Sequence, residues 1–191
     1  MKIVFATHNT NKLREVQDIL PKSIELLSLD DINCKEDIKE TADTVEGNAL
    51  IKANYIFKNY NLPCFADDTG LFVEALNGEP GVYSARYASD ITDAKANNEK
   101  LLRNLKSFGN RSAFFKTVIA YKTKNEEKLF NGICNGEILK SSTGPTGFGY
   151  DPIFKPKGFE QSFAEMSAET KNKISHRGKA LEKFLTYLLE N

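Results

Sequence analysis

The chain has 191 residues, and its 26 Lys and Arg balance 26 Asp and Glu, so the formal net charge is zero. That length suits one domain, or two lobes sharing a core, able to bury roughly 70% of its unfolded surface without a covalent staple. The even charge excludes the global positive field behind non-specific nucleic-acid affinity, and no stretch approaches the roughly 18 apolar residues of a membrane span.

Lys2 to Ala6 reads as a first strand, and Leu13, Val16, Ile19 and Leu20 then recur at helical spacing up to Pro21. A second helix is predicted over Thr44 to Asn59, started by Asp43 with Glu46 three residues on, with Ala49, Leu50, Ala53, Ile56 and Phe57 along one face. The apolar run before Asp67 and Asp68 reads as a buried strand, and the turn Gly78-Glu79-Pro80-Gly81 follows. Next come a helix from Thr92 to Lys106 and two Val-, Ile-, Phe- and Tyr-rich runs, Ser112 to Thr123 and Lys128 to Leu139, forming a hairpin that turns near Asn125. Ser141 to Tyr150 is a glycine-rich loop, Pro152 to Phe154 a short strand, and the last helix is capped near Ser175 and runs to Leu189. A βα opening followed by a hairpin predicts an α/β fold: a mixed, twisted central sheet flanked by helices, in two lobes with a substrate cleft between them.

The cysteines, Cys34, Cys64 and Cys134, lie far apart with no Cys-x-x-Cys spacing, which argues against a disulfide framework and a zinc site and for a reducing cytoplasm. The opening residues, Met-Lys-Ile-Val-Phe-Ala, form too short an apolar run for a signal peptide.

Four stretches carry candidate chemistry. Asp67 and Asp68 lie where a strand would end, the edge at which open α/β sheets place ligands, and strand alternation sends their side chains opposite ways. Both also suit a plain turn. The loop Thr7-His8-Asn9-Thr10-Asn11-Lys12 joins a strand end to a helix start, a phosphate-friendly place, although an ordinary capped helix start has the same form. Gly144-Pro145-Thr146-Gly147-Phe148-Gly149-Tyr150-Asp151-Pro152 sets two aromatics in a turn, where they either stack on a nucleobase or anchor the loop to the core. His176 and Arg177 fall in the first turn of the last helix, where positive charge opposes the helix dipole unless an anion or an electron-rich base edge offsets it. Taken together, these are the parts of a nucleotide site.

The motifs Ala-Thr-His-Asn-Thr-Asn-Lys at 6 to 12, Ala-Asp-Asp-Thr-Gly-Leu at 66 to 71, Gly-Glu-Pro-Gly-Val-Tyr-Ser-Ala-Arg-Tyr at 78 to 87, Phe-Gly-Tyr-Asp-Pro at 148 to 152 and Ser-His-Arg at 175 to 177 are similar, in order and spacing, to those of the Ham1/RdgB family of inosine triphosphate pyrophosphatases. The resemblance spans essentially the whole chain. It implies one pyrophosphatase domain over residues 1 to 191 that converts ITP, dITP and XTP to the monophosphate and pyrophosphate with magnesium (Mg2+), on a two-lobed fold that usually dimerises. It further implies that Asp68 is the metal-linked catalytic carboxylate, supported by Asp67, with Thr69 contacting substrate. By the same match Thr7, His8, Asn9, Thr10, Asn11 and Lys12 hold the triphosphate, and Phe148, Gly149, Tyr150 and Asp151 take the base and sugar. Lys171 contacts substrate, His176 and Arg177 read the base edge, Glu40 is a second acidic metal contact, and Lys52 faces phosphate. His8 stands where many members have glycine, and Thr69 where many have serine. A related dTTP or UTP pyrophosphatase and a non-catalytic nucleotide sensor are the alternatives. No nucleic-acid or membrane partner is expected.

Overall fold

The computed structural model describes residues 1–145 and 147–190. Thr146, inside the predicted aromatic loop, and Asn191 lie outside the described residues. The chain divides into two compact units. The first comprises Met1–Asp68, Thr117–Gly132 and Arg177–Asn191, and the second Thr69–Lys116 and Ile133–His176.

In the first unit, β1 (Lys2–Phe5) pairs in parallel with β2 (Glu25–Leu27) and with β3 (Cys64–Val73), in the registers Lys2↔Glu25 and Val4↔Cys64. Stacking of Phe5 on Phe65, with ring centres 4.5 Å apart, joins the two strands at the core, and Phe184 tilts onto Phe65 at 5.0 Å. Each such pair contributes about 0.5 to 1.5 kcal/mol beyond its buried area. Between β1 and β2 runs α1 (Thr10–Ile19), whose N-cap is Asn9 and whose Val16 is buried. The helix before β3, α2 (Val45–Tyr60), is capped by Thr44, which accepts from the Gly47 amide, and not by Asp43 as the sequence pattern suggests. Thr44 holds the extended backbone a cap needs, so its hydroxyl is the side-chain oxygen that can turn back onto the first-turn amides. A left-handed Asn61 ends α2. Missing from the sequence reading, β2 is only three residues long and has no clear alternation.

The predicted hairpin is present as β5 (Ser112–Lys122) and β6 (Glu127–Ile138), closed by the Thr123 amide donating to the Glu126 carbonyl at 2.9 Å. The strand order is β2-β1-β3-β5-β6-β7, with parallel and antiparallel neighbours, so the sheet is mixed as expected.

In the second unit, β4 (Pro80–Gly81) pairs with β3 antiparallel through Leu71↔Gly81, so the Gly78–Gly81 turn folds back as a ladder. A side chain at Gly70 would meet the Gly81 carbonyl oxygen at 2.8 Å, which accounts for glycine there. Next comes α3 (Ala94–Asn104), capped by Asp93. The predicted strand at Pro152–Phe154 is displaced: Asp151–Ile153 form one tight helical turn, and β7 (Phe154–Pro156) takes up pairing with β6 from Ile138↔Phe154. Pro152, whose ring fixes φ near the helical value, sits at the start of that turn and favours it over an extended strand. A further helix that the sequence reading missed, α4 (Ala168–Ile174), is capped by Ser167. Ser175 ends α4 by donating its amide to the Lys171 carbonyl, and α5 (His176–Glu190) starts directly after it. Leu71, Val73, Leu101, Phe115, Phe154 and Phe163 are among the residues of this unit's core.

Candidate active site

Asp67 and Asp68 lie within β3, which continues to Val73 and does not end at them as the sequence reading expects, and both are buried. In the first unit Asp67 receives Lys12 Nζ at 2.9 Å on one oxygen and Arg177 Nε at 3.0 Å on the other. The Arg177 guanidinium also pairs with Glu15, three residues beyond Lys12 on α1. Asp68 receives the amide nitrogen of Asn48 at 3.3 Å on Oδ2, while Lys52 Nζ stands 3.7 Å from its Oδ1. Lys52 Nζ also donates to Glu40 Oε1 at 2.6 Å and to the Asp67 carbonyl at 2.6 Å. Residues from α1, α2, the segment before α2, β3 and α5 thus form one polar cluster in which four carboxylates face three cations.

The two aspartates differ electrostatically. Burial works against ionising Asp67, but Lys12, Arg177 and Lys52 outweigh it and hold its carboxyl well below the usual carboxylate range. Burial also dominates at Asp68 and there prevails, raising its proton affinity despite Lys52 and Lys12. Asp67 is held as an anion, and Asp68 binds a proton more readily than an ordinary aspartate. Lys12 is pushed down, chiefly by burial. Burial opposes the charge on Lys52 too, yet Asp68, Glu40 and Asp67 together move it up.

The predicted phosphate loop is a capped helix start. Asn9 Oδ1 accepts from the Asn11 and Lys12 amides at 3.0 and 3.1 Å, and the Asn9 amide donates to Thr7 Oγ1. Two of the amides a phosphate would use are therefore taken, which leaves the side chains of Thr7, Thr10 and Lys12 as the loop's main donors. His8 places Nε2 3.1 Å from the Glu36 carbonyl oxygen, tying the loop to the segment that leads to Glu40.

In the second unit, Lys171 Nζ donates to Asp151 Oδ2 at 2.7 Å and lies 4.7 Å over the Phe148 ring. The same Asp151 oxygen accepts the Phe148 amide at 2.8 Å, and Gly149 turns with φ of 60°, in the left-handed region. The two aromatics part ways. Phe148 is half-buried beside Lys171, whereas Tyr150 is a buried core residue whose hydroxyl donates to the Ser84 carbonyl at 2.8 Å, so of the two alternatives Tyr150 takes that of an anchor to the core. His176 is buried with its ring stacked on Phe115, centres 4.4 Å apart. Thr69 is half-buried at the start of the unit.

The Ham1 family profile matches residues 3–187. The chain belongs to the Ham1 family. It is 61% identical to the dITP/XTP pyrophosphatase of Christiangramia forsetii over 98% of this chain and 99% of that one, and 56% identical to that of Flavobacterium johnsoniae over 98% of each. The Ham1 protein of Staphylococcus aureus superposes with a TM-score of 0.91 at 39% identity, covering 100% of this chain and 99% of that one. The HAM1 protein of Coxiella burnetii gives 0.92 at 39% identity over 100% of both.

Three residues of this Ham1 chain that the sequence reading passed over brace candidate residues, two in the first unit and one in the second. Asn48 accepts the Ala42 amide at 2.9 Å while donating to Asp68, so it fixes both the carboxylate and the segment carrying Glu40. Glu15 braces Arg177, and Asn98 donates to the Gly149 carbonyl at 3.1 Å. A legible signal existed for Asn48: it is a polar residue four before Lys52, and both are buried beside the apolar stripe of α2. Elsewhere on the second unit a groove of about 860 Å³ is lined by Phe72, Phe114 and Phe159 among others, and no predicted site residue lines it.

Among the described residues, no three His, Cys, Asp or Glu side chains gather as a metal cage. Asp68 and Glu40 nevertheless share one cation, the Lys52 ammonium. Two carboxylates on one cation suit magnesium, which keeps several waters and completes its shell with substrate phosphates.

Proposed function

We propose that this protein hydrolyses the non-canonical purine nucleoside triphosphates ITP, dITP and XTP to the monophosphate and pyrophosphate, with magnesium as cofactor. The observation that carries this reading is the buried cluster in which Lys12, Lys52 and Arg177 surround Asp67 and Asp68. The similarity to dITP/XTP pyrophosphatases over nearly the full chain supports the substrate class.

Magnesium, held by Asp68 and Glu40, would neutralise charge on the triphosphate. Asp68 takes the proton of the water that attacks the α-phosphorus; its burial, which favours the protonated form, suits that task. Lys12 and Lys52 pair with phosphate oxygens, and Thr7, His8, Asn9, Thr10 and Asn11 shape the loop that receives them, with Thr69 beside the reacting end. Asp67, pinned as an anion, keeps Lys12 and Arg177 in place. Phe148, Gly149, Tyr150 and Asp151 take the base and sugar, with Phe148 the stacking ring and Tyr150 the loop's anchor. Lys171 fixes Asp151 and contacts substrate. His176 and Arg177 supply donors toward a 6-keto purine, because an adenine amino group there would leave buried donors unmatched, at roughly 1 to 3 kcal/mol each.

The deciding experiment measures pyrophosphate release from ITP, dITP, XTP, ATP, dTTP and UTP with and without magnesium. Preference for ITP over ATP on the order of 10⁴ is expected. Faster release from dTTP or UTP, or nucleotide binding without release, overturns the assignment.

We further place the protein in the cytoplasm, as a homodimer with no nucleic-acid or membrane partner. Three buried cysteines in the thiol form support a reducing compartment, and the zero net charge supports a free nucleotide as the anionic partner. Family resemblance is the support for the dimer. Light scattering that returns the mass of one 21.4 kDa chain overturns it.

A further inference from the structure

The setting of Lys52 is unusual for a phosphate-binding lysine. Its Nζ is met by Glu40 Oε1 at 2.6 Å, the Asp67 carbonyl oxygen at 2.6 Å and, farther off, Asp68 Oδ1 at 3.7 Å. Only 10% of the side chain is exposed. An ammonium held by two carboxylates and a backbone carbonyl has the hard-oxygen surroundings that a magnesium ion selects. Both Glu40 and Asp68 are needed for the metal in the reading above, and two neighbouring carboxylates repel unless a cation stands between them. Asn48, one turn before Lys52 on α2, holds the other oxygen of Asp68, so the Oδ1 that faces Lys52 is the one left for the metal.

We propose that Lys52 is a tethered counter-ion that occupies the divalent-metal position between Glu40 and Asp68, and is drawn onto the triphosphate when nucleotide and metal arrive together. This rests on the assignment of the metal to Asp68 and Glu40 in the pyrophosphatase reading. A compact, flexible ammonium is suited to such an exchange, whereas a planar guanidinium is not. Free metal entering alone must compete with a cation whose effective concentration is set by its own short tether. Metal and nucleotide therefore bind cooperatively, each raising the affinity of the other by the same factor.

The test uses Mn2+ as the probe, with the full chain and no nucleotide, following free Mn2+ by electron paramagnetic resonance. Lys52→Gln and Lys52→Met should bind Mn2+ on the order of tenfold more tightly than the wild type, the scale of an ordinary coupling between sites. Adding Asp68→Asn to either should abolish the gain, and Lys52→Arg, which keeps the charge, should show none. Unchanged or weaker Mn2+ binding in folded Lys52→Gln or Lys52→Met overturns the proposal. The wild type supplies a second reading free of folding defects. The Lys52 Nζ nitrogen resonance should move on adding Mg2+ with a non-hydrolysable ITP analogue, and hold its place with Mg2+ alone; movement with Mg2+ alone at the same concentration also overturns it. Pyrophosphate release from ITP by the wild type separates the two claims: turnover without any gain in Mn2+ affinity defeats the counter-ion and leaves the pyrophosphatase standing.

Discussion

Asp67 and Asp68 are neighbours on one strand, and their surroundings make them different tools. Asp67 is fixed between Lys12 and Arg177, so Asp67→Asn takes the shared carboxylate from two buried cations and leaves Arg177 with Glu15 alone, a loss of about 3 to 5 kcal/mol. In a chain of this size that lowers the melting temperature by roughly 10 °C, readable by calorimetry. Asp68→Asn does the opposite. It should melt close to the wild type while kcat for ITP falls about 10² to 10⁴-fold, the usual contribution of a positioned general base. Near wild-type turnover of Asp68→Asn at saturating magnesium would remove it from the mechanism. Cys64 is a third residue-scale case: its thiol donates to the Ala53 carbonyl, and burial pushes it up to about 12. Since the thiolate is the nucleophile, a disulfide reagent at pH 8 should modify Cys64 only after denaturant is added. Fast labelling of the native protein at Cys64, located by mass spectrometry, would contradict this.

At the scale of elements, caps and anchors set where the chemistry is presented. Thr44 closes the first turn of α2, the helix that carries Asn48 and Lys52, by accepting the Gly47 amide at 3.1 Å. Thr44→Ala should cost about 1 kcal/mol, a fall of roughly 2 to 4 °C in melting temperature. The loop around Phe148 is anchored from below by two contacts, Tyr150 to the Ser84 carbonyl and Asn98 to the Gly149 carbonyl. Tyr150→Phe and Asn98→Ala should therefore raise KM for ITP severalfold with little change in kcat, because they loosen the loop proposed to take the base and leave the first unit's carboxylates untouched. A matching fall in kcat, measured by steady-state pyrophosphate release, would instead place this loop in the chemical step.

For the whole molecule, buried titrating groups shape stability at both ends of the pH scale. The Cys64 thiol ionises near 9.0 when unfolded and only at about 12 when folded, so its contribution is complete below pH 9 and is lost as pH rises through that window. Tyr87 and Tyr121, raised chiefly by burial, act in the same direction. Asp67 works at the other end: its stabilisation is present above 3.8 and lost as pH falls below it. Urea midpoints should fall steadily above pH 9, less steeply for Cys64→Ala; identical slopes would show that Cys64 does not contribute. Read without coordinates, the chain already disclosed its mixed α/β class, the hairpin and the family, and offered Asp68 and Lys12 as candidates, because strand and helix periods and short motifs are local properties of consecutive residues. The partners of those residues were not legible. That Asn48 holds Asp68, that Glu15 braces Arg177, that Tyr150 belongs to the core and that Lys52 stands between two carboxylates are contacts across 12 to 162 positions of chain. Such contacts depend on how buried faces pack, and a charged side chain in sequence carries no mark of which opposite charge will enclose it; tertiary structure alone decided that.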